Sequence, residues 1–149
     1  MKTLSSASDS QDILERLDKL EPTSKALWGK MNVEQMLAHC SAGIKMAKGE
    51  IKPKRALAGI ILGKLFKKIY TNEKPLGKDS PTDKSLIFSG TLGFEKEREQ
   101  LREQIKSFQS VGEKGCTDHP HPFFGKLEPQ EWSRGMFKHL DHHFRQFGA

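Results

Sequence analysis

A chain of 149 residues, 35% hydrophobic and 30% charged, is long enough to bury one core without staples and too apolar to be disordered. Its formal net charge is +6. Two cysteines, Cys40 and Cys116, exclude a disulfide framework and a Cys-x-x-Cys zinc site, which fits a reducing compartment.

The positive charge is local. Between Lys45 and Lys78, nine lysines and Arg55 stand against only Glu50 and Glu73, while the rest of the chain is close to neutral. The first ten residues lack the apolar core of a signal peptide. The longest apolar run, Ala56–Phe66, is too short to span a bilayer and carries Gly59, Gly63 and Lys64. Together these place the protein in the cytoplasm.

Ile13, Leu14, Leu17 and Leu20 predict a first helix from about Ser10 to Leu20, capped by Asp9 or Ser10. Pro22 ends it. Asn32 is a good N-cap for a second helix, from about Val33 to Lys48. That helix has two adjacent apolar rows: Val33, Leu37, Cys40, Ile44 and Ala47 in one, Met36, His39, Gly43 and Met46 in the other. His39 thus falls on a wide buried face, and Gly43, one turn on, leaves space beside it for a ligand or a metal.

After a break at Gly49–Pro53, the stretch Lys54–Tyr70 reads as an amphipathic helix, since Leu57, Ile61, Leu65 and Ile69 recur every four residues. Its two glycines weaken it by roughly 1 kcal/mol each. Thr71–Asp83 is a loop with Pro75, Gly77 and Pro81, and Ser85–Phe88 could be extended. A further helix over Gly93–Val111 has Phe94, Leu101, Ile105 and Phe108 on one face and a salt-bridge-rich opposite face. Gly112–Gly125 is a loop containing His119-Pro120-His121-Pro122. Pro129, with Glu128 and Glu131 beside it, then opens a last helix. Its inward face is Trp132, Met136, Leu140, Phe144 and Phe147. The expected fold is one all-α domain of four or five helices, most simply a bundle.

On that last helix His139 and His143 are four residues apart, which puts both imidazoles on one side, one turn above the other. Zinc and nickel accept such ligands. A third must come from another helix, and His39 alone among the remaining histidines lies within a predicted helix on an apolar face. His142 is about 100° from His143, on the side with Lys138 and Arg145, and is expected at the rim or in solvent. The alternative for the three histidines is a polar cluster hydrogen-bonded in the core.

Three blocks resemble the DinB-like superfamily of metal-binding four-helix bundles, and within it an uncharacterised, domain-of-unknown-function branch. They are L-W-G-K-M-N-V-E-Q-M-L-A-H-C at Leu27–Cys40, H-P-F-F-G-K-L-E-P-Q-E-W at His121–Trp132, and K-H-L-D-H-H-F-R-Q-F-G at Lys138–Gly148. The resemblance implies a divalent metal, zinc or nickel, at His39, His139 and His143. It also implies a small-molecule substrate and possible thiol-dependent transferase or hydrolase chemistry, the partner being a low-molecular-weight thiol. A non-enzymatic ligand- or partner-binding bundle is the competing expectation.

Three further residues belong to the expected site. His121 lies on the proline-rich loop and could line a pocket, against a rigid turn with exposed imidazoles. Asp141 could orient a ligand histidine, against a position facing solvent. Gly43 supplies room. Cys40 reads as a small buried side chain, and Trp28 and Trp132 as core aromatics.

The basic helix Lys54–Tyr70 admits three roles: packing on the bundle with a solvated lysine face, docking on an anionic membrane surface, or contacting nucleic acid phosphates. Packing ranks first. Nucleic acid ranks last, because few aromatics interleave the lysines and no nucleic-acid motif is present. A homo-oligomer stays open.

Overall fold

The structure is a computed structural model that describes residues 1–78 and 82–149. Of the expected loop Thr71–Asp83, residues 79–81, Pro81 among them, lie outside the described ones. Among the described residues five helices follow in order: α1 (Ala7–Asp18), α2 (Val33–Ala47), α3 (Leu57–Thr71), α4 (Phe94–Val111) and α5 (Pro129–Gln146). Short 3-10 turns occupy Lys84–Leu86 and Glu113–Gly115. No strand occurs among the described residues, and the protein is all-α. No helix among them is long and apolar enough to cross a membrane.

The helix starts follow local chemistry. Asn32 accepts from the Gln35 amide while the Gln35 side chain accepts from the Asn32 amide, a reciprocal capping box. Glu128 and Glu131 form the same device at the start of α5, with Pro129 in the first turn. The first helix begins earlier than its apolar stripe suggests, because Ser6 accepts from the Asp9 amide and caps it. The segment ahead of it is docked as well: Leu4 is fully buried, and its amide donates to the Ser133 carbonyl.

α2 packs against α4 and α5, and α1 packs against the same two, so four helices close around one core. The predicted inward residues of α2, α4 and α5 are all buried there. Arg16 of α1 ties the ring together from outside, bonding the Asp141 carboxylate at 2.9 Å and the carbonyls of Asp141 and Ala149.

α3 stands apart and departs from the expected packing. Among the helices it touches only α5. Its inward residues are Gly59, Gly63 and Tyr70, with Phe66 at the edge, whereas the stripe Leu57, Ile61, Leu65, Ile69 faces out. The reason is steric. The backbone at Gly59 and Gly63 lies directly on the backbone of Phe123 and its neighbours, where a Cβ would overlap main-chain atoms. Only the glycine face can approach that closely. Lys138 of α5 holds the far end, donating to the carbonyls of Ile69 and Asn72 and to the Asn72 side chain, and so satisfies terminal carbonyls of α3. Lys138 is therefore buried rather than solvated.

Candidate metal centre

His39 comes from the middle of α2, and His139 and His143 from successive turns of α5. Their ring nitrogens lie within 4.8 Å of one another, one from each residue. The rings stand 4.7–4.8 Å apart centre to centre in all three pairings. His39 and His143 are buried. His139 keeps partial exposure as a residue, yet its Nδ1 is sealed from solvent and has no hydrogen-bond partner.

Two of the three imidazoles are fixed in one tautomer. His39 Nδ1 is 2.9 Å from the Leu86 carbonyl oxygen. A carbonyl only accepts, so Nδ1 carries the proton and Nε2 presents its lone pair. That lone pair faces His139, whose Nε2 is 2.8 Å away. His143 Nδ1 is 2.8 Å from Gln146 Oε1. The amide orientation is set at its other end, where Gln146 Nε2 donates to the Trp28 carbonyl at 2.6 Å. His143 therefore also holds its proton on Nδ1 and leaves Nε2 free. Gln146 reaches Trp28 because Gly29 has no side chain: a Cβ there would lie 2.5 Å from Gln146 Nε2, and the backbone φ of +81° itself favours glycine.

Burial keeps the cluster neutral. Desolvation lowers the pKa of His39, opposed by its bond to Leu86. It lowers His143 to about 3, helped by the neighbouring His39. His139 is pushed well below its ordinary value by desolvation first, then by His143 and His39. Neutral imidazoles are the form that ligates metals. The donor set thus fits a divalent ion: three neutral nitrogens from two helices, two of them aimed by carbonyl oxygens behind the ring. At Gly43, where room beside His39 was expected for a ligand or a metal, a Cβ would meet the His139 ring at 3.1 and 3.2 Å, so the bare position admits that ring.

The other expected residues fall elsewhere. Asp141 pairs with Arg16 and Arg145 and makes no bond to the histidines, because it lies on the α1 side of α5. His142 is buried rather than solvated, its ring edge-on to Trp28 at 5.7 Å and to His143 at 5.0 Å. Trp28 is half-buried and covers this end of the site, while Trp132 is core.

His121 is a structural pin instead of an exposed imidazole. Its Nδ1 accepts from the amides of Phe123 and Phe124 at 3.1 and 3.2 Å, and its ring packs among Tyr70, Phe124 and Trp132. Desolvation lowers its pKa to about 3. His119 bonds the Pro53 carbonyl at 3.1 Å. Cys40 is buried against Met36, and burial raises its thiol pKa strongly.

Leu86 and Gln146 were not among the expected site residues. Gln146 sits three positions after His143, a spacing that faces one side of a helix and could have marked it. The Leu86 carbonyl left no mark in the sequence, since every residue carries one.

The chain belongs to a family described as a protein of unknown function, DUF1569, which matches residues 4–149. Comparison with curated proteins and with solved structures gave no match.

Proposed function

We infer that this is a DinB-like four-helix bundle in which His39, His139 and His143 hold a divalent metal ion, zinc or nickel. The supporting observation is the pair of carbonyl locks: Leu86 on His39 and Gln146 on His143 both put the proton on Nδ1 and turn Nε2 toward the cluster. Such outer partners are the usual companions of ligand histidines. A divalent ion held by His39, His139 and His143 would lower the pKa of a thiol or water bound to it. Around it, the chain excludes water from two of the three rings and fixes their tautomers. The chemistry this favours is transfer or hydrolysis on a small molecule, with a low-molecular-weight thiol as the co-substrate and the cytoplasm as its setting.

One observation favours a second reading. The 2.8 Å between the Nε2 atoms of His39 and His139 is a hydrogen-bond distance, with His139 donating. A histidine cluster of that kind needs no ion, and the protein would then be a non-enzymatic binding bundle. Metal analysis of protein purified without a polyhistidine tag separates the two. A stoichiometric metal that is lost in His143→Ala supports the first reading. No metal, with stability unchanged by chelator, overturns it. Turnover with a thiol and an electrophile then tests for activity.

A further inference from the structure

α3 turns to solvent a face that is mostly apolar, with Lys64 and Lys68 set within it. Leu57, Ile61 and Leu65 are 80%, 80% and 71% exposed, and Ile60, Leu62 and Ile69 are exposed beside them. A patch of this kind on one 15-residue helix marks an interaction surface. Nothing among the described helices covers it, since α3 meets only α5, through its opposite face.

The charges around the patch select its occupant. Lys64 and Lys68 share this outward arc at about 100° per residue, exposed and without an ion pair among the described residues, and Lys54 and Lys74 flank the helix in the same state. Lys67, by contrast, is paired with Glu131 at 2.6 Å. α3 contains no acidic residue. A second copy docked through this helix would set lysine against lysine. A nucleic acid offers phosphates but no counterpart for Leu57, Ile61 and Leu65. An anionic lipid surface offers both. At about 22 Å the helix is too short to span a bilayer and suited to lie along one.

We propose that α3 docks the protein flat on an anionic lipid surface. Leu57, Ile61 and Leu65 enter the boundary between headgroups and acyl chains, and Lys64 and Lys68 reach the headgroup phosphates. The test is flotation of the full chain with vesicles of phosphatidylcholine alone or mixed with phosphatidylglycerol. Binding is expected only to the mixed vesicles and weakens as salt is raised. Ile61→Ser/Leu65→Ser, at exposed positions, lowers it on the order of a hundredfold. Lys64→Gln/Lys68→Gln lowers it by about fivefold per charge. Both variants keep the wild-type far-UV circular dichroism. The proposal is overturned by no binding at low salt, by binding that survives Ile61→Ser/Leu65→Ser, or by a dimer in sedimentation equilibrium that the same substitution dissociates.

Discussion

Gln146 bridges two parts of the site at once: its oxygen stands 2.8 Å from His143 Nδ1, and its nitrogen donates to Trp28 at 2.6 Å. The amide can therefore neither rotate nor flip without breaking one bond, and this holds the His143 ring. Gln146→Leu keeps the volume and removes both bonds. Metal affinity is expected to fall about 10- to 100-fold, read by competition with a chromophoric chelator. An unchanged affinity would show that His143 is aimed by packing alone.

Gly43 tests the room beside His139. In a helix interior, alanine is favoured over glycine by up to about 1 kcal/mol. Against that stands a contact of 3.1 Å between the new methyl and the His139 ring. Gly43→Ala should leave the metal-free protein within about 1 kcal/mol of wild type in urea unfolding, yet weaken metal binding because the ring must shift. Gly43→Leu should abolish it. A Gly43→Leu protein that binds metal as tightly as wild type would show that the space is not used.

The helices around the core were legible because one physical rule governs them. Met36, His39 and Gly43 on α2, and Trp132, Met136 and Leu140 on α5, recur at helical spacing and face the core. So were the three histidines, which fall on those faces. α3 shows where the rule stops. Leu57, Ile61, Leu65 and Ile69 have the same spacing as a core stripe, but Gly59, Gly63, Phe66 and Tyr70 have it too. Periodicity identifies an amphipathic helix; it does not say which face finds a partner. That was decided by the bare backbone of two glycines against Phe123. His142 and Lys138 were misplaced for a related reason. Each is polar and off the main stripe, yet Trp28 and the end of α3 cover them from distant points in the chain.

Acid should destabilise the metal-free protein well before its carboxylates titrate. His121 and His143 have folded pKa values near 3, and His39 and His139 are also lowered. In the unfolded chain each returns to about 6.5. Between those values the unfolded state binds more protons, so stability is fully present above pH ~6.5 and lost as pH falls toward ~3. The slope is on the order of 1.4 kcal/mol per pH unit for each such histidine. Urea unfolding in chelator across this range measures it, and His143→Gln should flatten the dependence by one histidine's share. A stability that is level from pH 7 to 5 would contradict neutral, buried imidazoles.

The seat of α3 on the Phe123 backbone is the most local of these contacts. At Gly63 a Cβ would overlap the carbonyl oxygen of Phe123, a backbone atom that cannot turn aside as a side chain would. His121 fixes that carbonyl's neighbourhood by accepting from the Phe123 and Phe124 amides. Gly63→Ala should therefore lift α3 off the Phe123–Phe124 backbone although alanine is the better helix former. α3 adds Tyr70 to the core that α1, α2, α4 and α5 close, so global unfolding in urea should change by about 1–3 kcal/mol, the usual cost of overpacking. Amide exchange should rise across Leu57–Thr71 and stay low in α2 and α5. Exchange that rises equally in α2 would show that α3 is part of the same cooperative unit as the metal-site helices.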